Sequence, residues 1–297
     1  MRKRSIPAMA ILPGLMWLAA LTACRSLQPP HAPQAGPQEA ARVAEAVGPE
    51  QFAAAAAAGD LARVRELLQR DEDLLNAKDA AGWNAVQHAA WAVQQEVHGY
   101  LLLQGARGNL FSEAALGPWA SFRQRLETNP IGVDSRDSIH KATALIWAVR
   151  SGNRAGCELL LANGADIGAR DREGNTVMHH AAAMGQVQML DFLLYAGAAV
   201  DAANDAGRTA LHLFAGRGSY EACRLLVERG AAVDARDGKG NTALHVAAER
   251  GDFELCEYFL FLGASAVRTN ADGRTPGDLA QLNGHERVAE LLSVRMR

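Results

Sequence analysis

Three cysteines recur in register. Cys157 sits in "ATALIWAVRSGNRAGCELLLANGA", Cys223 in "RTALHLFAGRGSYEACRLLVERGA" and Cys256 in "NTALHVAAERGDFELCEYFLFLGA". Cysteine can bond, bind metal, react or pack, and the spacing chooses among these. Metal sites use short C-x-x-C or H-x-x-x-H spacings, and neither occurs in the sequence. Each cysteine follows a threonine (Thr143, Thr209, Thr242) by fourteen residues, and the same slot elsewhere holds Val64, Leu190 and Ala289, with His98 as the one departure. A slot shared with small and medium apolar residues is a packing slot, where free cysteine acts as a small hydrophobe. Packed helices lie about 8–10 Å apart, while a disulfide needs Cα atoms within about 7 Å. Cys223 and Cys256 are therefore expected to stay unbonded.

The histidines divide in the same way. His179, His212 and His245 each follow a threonine by three residues, and His180 adjoins the first. Consecutive helical residues point in different directions, so His179 and His180 do not make a joint ligand pair. No serine stands in a Gly-x-Ser-x-Gly elbow, and no carboxylate pair forms a visible constellation. The sequence assigns no catalytic residue, no metal and no cofactor, and shows no small-molecule substrate. The net charge of −3, with 21% charged residues, does not suggest nucleic acid.

The elements that position these residues repeat. Thr143, Thr176, Thr209, Thr242 and Thr275 are spaced by 33 residues, opening "TALIWA", "TVMHHA", "TALHLF", "TALHVA" and "TPGDLA". Nine residues after each stands Gly152, Gly185, Gly218, Gly251 or Gly284. The threonine caps a first helix, alanines admit close neighbours, and the glycine permits a left-handed turn into a second helix. Leu159-Leu160-Leu161 and Leu225-Leu226-Val227 supply that helix's apolar face. Asp171 with Gly174, Asp205 with Gly207 and Asp237 with Gly240 shape the hairpin loops. A 33-residue period with this phrase resembles the ankyrin repeat. The resemblance implies an all-α solenoid of stacked helix-turn-helix units with hairpin loops, about seven repeats including degenerate caps, over residues 45–297. It also implies that His179, His212 and His245 bond neighbouring loop backbone. An insertion at about 107–134 reads as a loop carrying a short amphipathic helix built on Trp119, Phe122 and Leu126.

The N-terminal residues read differently. Arg2, Lys3 and Arg4 precede an apolar run from Ile6 to Leu21, shorter than the roughly 20 residues of a membrane-spanning helix. The run ends Leu21-Thr22-Ala23-Cys24, which resembles the lipobox of bacterial lipoproteins. That resemblance implies a signal peptide over 1–23, acylation at Cys24 and a bacterial envelope location. Arg25 after the cysteine leans toward the outer membrane, facing the periplasm. Residues 24–44, with Pro29, Pro30, Pro33 and Pro37, read as an extended tether.

In ankyrin proteins the hairpin tips and first helices form a concave face that binds proteins. Here the tips offer Trp83, Arg172, Arg208 and Lys239, and the first helices Trp91, Trp147, Arg150 and His180. Trp and Arg are favoured interface anchors. The tryptophans could equally pack beneath the insertion. The expected function is a lipid-anchored binder of an envelope or periplasmic protein, as scaffold, accessory or immunity-type module. The alternatives are an enzyme with a site between insertion and concave face, or a secreted effector.

Overall fold

The computed structural model describes residues 48–128 and 132–294. The expected signal peptide over 1–23, the expected acylation at Cys24 and the expected 24–44 tether lie outside the described residues. Among the described residues sixteen α-helices follow one another as eight pairs. In chain order they are α1 Pro49–Ala58 with α2 Leu61–Arg70, α3 Ala85–Trp91 with α4 Gln95–Leu103, and α5 Leu110–Leu116 with α6 Trp119–Thr128. Then come α7 Ala144–Arg150 with α8 Arg154–Ala162, α9 Val177–Met184 with α10 Val187–Tyr195, and α11 Ala210–Arg217 with α12 Tyr220–Glu228. The last two pairs are α13 Ala243–Arg250 with α14 Phe253–Phe261, and α15 Pro276–Leu282 with α16 Glu286–Val294. Among the described residues no helix is long and apolar enough to cross a membrane.

After the first pair, each inner helix starts at a threonine or an asparagine. At Thr176, Thr209 and Thr242 the ring of the histidine three residues on accepts from the threonine N–H, closing a reciprocal cap. Asp278 does this for Thr275, and Gln87 for Asn84. Thr143 has Ile146 in that place, and its buried hydroxyl lacks a partner. The turns between helices need a left-handed residue, supplied by Gly185, Gly218 and Gly251 at φ 68–78°. In the second pair Val93 takes this position at φ 60°, a conformation that burdens a β-branched residue.

The insertion at 107–134, expected as a loop carrying one short amphipathic helix, holds that helix as α6 and adds α5 before it, so that it forms a third helix pair. Asn109 caps α5 by accepting from Ser112 N, and Ser112 Oγ accepts from Asn109 N. Ala114 and Ala115 are buried, and α5 packs between α3 and α7 as an inner helix. Phe122 and Leu126 turn the apolar face of α6 inward. Glu113, buried on α5, receives two bonds of 2.9 Å from Arg125 on α6. The stack therefore has eight pairs rather than about seven. What the third pair lacks is a hairpin finger: only a few residues separate the end of α4 from Asn109. The second finger consequently meets the fourth directly, with Ser138 Oγ donating to Ala81 O at 2.8 Å.

Candidate functional site

Each finger is organised by one Asp or Asn. Asp79, Asp171 and Asp237, like Asn204 and Asn270, use Oδ1 to accept from the backbone N–H groups two and four residues on. Successive fingers are then joined by one backbone bond each: Arg172 N to His140 O, Asp205 N to Glu173 O, Gly238 N to Ala206 O and Ala271 N to Lys239 O. The repeat histidines reach across as the resemblance implied. His179 Nε2 meets Arg208 O at 2.8 Å, His212 meets Asn241 O at 3.0 Å and His245 meets Arg274 O at 3.2 Å. Burial lowers the pKa of all three, so they bridge as neutral rings.

The second carboxylate oxygen of three finger aspartates faces the inner helix and demands a donor. It takes the ring four residues after the capping position: His88 on Asp79 at 2.7 Å, Trp147 on Asp137 at 3.0 Å and His180 on Asp171 at 2.9 Å. Two expected surface contacts are thereby withdrawn. Trp147 is 1% exposed, and His180 is 6% exposed. Trp83 is also buried, at 2%, because it fills the gap left by the missing third finger. It packs against Trp91, His140 and Trp147 at centroid distances of 6.3, 5.6 and 5.0 Å. Trp83 and Trp147 support the face and do not present it, and His180 lines it with little of its surface.

Trp91 remains half-buried at the edge of this cluster. Its ring stacks on His140 at 4.1 Å, with 9° between planes, and the Arg150 guanidinium lies 4.0 Å from its centroid. Arg150 Nη2 donates to Trp91 O at 3.2 Å, and Nη1 approaches His180 Nδ1 at 3.4 Å. An arginine only donates. His180 therefore accepts on Nδ1 and donates from Nε2 to Asp171, so neither nitrogen is free to act as a base. For Asp171, burial alone would raise the pKa, but the His180 and Asn175 bonds win and hold it at about 2. Burial also lowers Arg150, opposed by Asp171.

Beside this chain of side chains opens a groove of about 650 Å³. Trp91, Arg150, Arg172, His180 and Arg208 of the expected residues line it. Lys239 is exposed on a neighbouring finger and is not among the lining residues. The sequence reading missed His140, Ile139, Asn204 and Leu213, which also line it. The fourth finger closes from Asp137 to Ala142, five residues apart, whereas the fifth closes from Asp171 to Asn175, four apart. That extra residue shifts the register and hides His140 from a repeat-by-repeat comparison. The three cysteines line no part of the groove. They are free and fully buried, and burial pushes each thiol up to about 12.

Residues 145–194 match a family model described as "Ankyrin repeats (many copies)", and residues 196–270 and 237–295 match one described as "Ankyrin repeats (3 copies)". A stretch of 46 residues is 50% identical to "Arf-GAP with coiled-coil, ANK repeat and PH domain-containing protein 2" of Gallus gallus and 48% identical to that of Homo sapiens. The match covers 16% of this chain and 6% of each relative. The chain thus spans a small fraction of these relatives, and the likeness carries over no activity of the whole proteins. Helix pairs that bury their faces only against neighbours, bridged by the histidine of a T-x-x-H phrase, coincide over about half the sequence with these two matches, and the chain belongs to the ankyrin-repeat family, whose repeats are protein-binding modules.

Proposed function

We propose that this chain is a lipid-anchored protein-binding module of the bacterial envelope, held by acylated Cys24 on the 24–44 tether and docking its partner on the finger face. The observation that carries the docking half is the groove beside Trp91. It has a half-buried aromatic floor and exposed arginine walls, the side-chain types favoured at interface centres. The anchoring half rests on the basic start, the apolar run and Leu21-Thr22-Ala23-Cys24. The polar tether and the acidic balance of the chain leave the acyl groups as the means of membrane attachment.

One experiment addresses both halves. A photo-crosslinking residue is placed at Ala206, which is exposed in the groove, in the full chain with Cys24 and in the Cys24→Ser variant. The expected result is a specific adduct from intact envelopes and release of the Cys24→Ser protein from the membrane fraction. Membrane fractionation of that variant at unchanged mature mass sinks the anchor. Absence of any specific adduct sinks the docking face.

A further inference from the structure

The three arginines of the groove differ from those on the outer helices. Several outside arginines are paired with carboxylates: Arg154 with Glu158 at 2.8 Å, Arg224 with Glu221 at 3.0 Å, Arg229 with Asp191 at 2.6 Å, while Arg65 and Arg287 lie over aromatic rings. In the groove, Arg172 reaches only a backbone oxygen, Ser138 O at 3.4 Å. Arg208 Nε makes a long ion pair of 3.8 Å with Asp237 Oδ2, while Asp237 Oδ1 holds its own finger through Lys239 N and Asn241 N. Arg150 has no carboxylate within 4.0 Å among the described residues, and its buried Nε has no partner. The groove contains two carboxylates. Asp171 is committed to His180 and Asn175, and Glu173 accepts from Asn175 at 3.2 Å. Three arginines thus line the groove against two carboxylates, and Arg150 and Arg172 have no carboxylate within 4.0 Å among the described residues. They border an apolar floor of Trp91, Ile139 and Leu213.

On the reading that this face docks a protein, we propose that the groove seats an acidic segment of the partner. One Asp or Glu carboxylate lies between Arg172 and Arg208, and a neighbouring apolar side chain rests on the floor. A planar guanidinium offers a carboxylate paired, charge-assisted bonds that no group of this chain now takes up fully. Trp91, its two faces held by His140 and Arg150, presents an edge that loses little freedom on binding. A free small carboxylate fits less well. Small-ligand sites enclose most of the ligand, whereas Arg172, Glu173, Ala183, Ala206 and Arg208 stand exposed around this groove.

The test uses the purified full chain and acetylated, amidated hexapeptides of alternating leucine with glutamate, glutamine or lysine. Binding is followed by calorimetry. The glutamate peptide should bind, and the glutamine peptide should bind at least about tenfold more weakly. Arg172→Ala and Arg208→Ala should each weaken the glutamate peptide by about tenfold, with melting temperature unchanged. The double reversal Arg172→Glu with Arg208→Glu should transfer preference to the lysine peptide. Equal binding of the glutamine peptide, tighter binding of the lysine peptide by the unaltered chain, or no binding overturns the proposal. So does glutarate binding as tightly as the glutamate peptide. A specific Ala206 adduct alongside any of these results keeps the docking face and discards its acidic occupant.

Discussion

His98 shows what one residue does when it takes a slot built for packing. It stands where other pairs place Cys157, Leu190 or Cys223, and it is buried with Nε2 unpartnered. Burial lowers its pKa from 6.5 to about 4. The folded state therefore holds it neutral, and the unfolded chain takes the proton first. Its contribution to stability is intact above pH 6.5 and is lost as pH falls from 6.5 toward about 4, amounting to about 3 kcal/mol at the acid end. His98→Leu should remove this term, so the stability difference between the two proteins should grow as pH falls across that window. A pH-independent difference in urea midpoints would contradict it. The cysteines in the sister slots should behave as inert packing. With thiols at about 12, Cys157, Cys223 and Cys256 should resist a thiol reagent at about pH 8 in the folded chain and react once it is denatured.

At the scale of the element, the turns expose which positions are under strain. Val93 holds φ 60° where Gly185, Gly218 and Gly251 do so freely. Val93→Gly should stabilise the chain by about 1 kcal/mol, since relief of left-handed strain outweighs glycine's added freedom when unfolded. A lower urea midpoint for the variant would refute this. The third pair offers an opposite case. Arg125→Ala leaves Glu113 buried without its partner and should destabilise by about 3 kcal/mol. The regular pairs were legible in the sequence because a threonine, a histidine and a glycine recur at fixed offsets. The third pair was not, for it marks its cap with Asn109 and Ser112 and carries no finger. Its apolar residues Phe122 and Leu126 were visible, but nothing local reveals that α5 inserts between α3 and α7. The site was half legible for the same reason. Arg172 and Arg208 were placed on the surface, where they stand. Trp83 and Trp147 read as surface anchors from the sequence, but the missing third finger buries Trp83, and the bond to Asp137 turns Trp147 inward.

Over the molecule as a whole, the apolar core is not continuous. One cluster runs from Phe52 to Ala106 and joins the first two pairs, and a second begins at Trp83 and continues to Leu292. Helix α3 divides between them, giving Ala85, Val86 and Ala89 to the first and Ala90 to the second. The division falls near the place where the finger ladder changes from backbone bonds to the side chain of Ser138, and Trp83 of the second finger packs on Trp147 inside the larger cluster. In a solenoid each pair is stabilised by its own folding and by its interfaces, so the weakest interface sets where cooperativity breaks. The first two pairs should therefore open at lower denaturant than the rest. Hydrogen exchange measured across a urea series should show amides of 49–104 losing protection while those of 144–294 keep it. Trp147→Ala empties the joint itself and should cost about 3–5 kcal/mol. It should also widen the gap between the two transitions, since α7 would then hold the second finger less firmly. If both regions exchange together in the unaltered chain and in Trp147→Ala, the divided core is no energetic boundary and the coupling of the two halves does not depend on the tryptophan cluster.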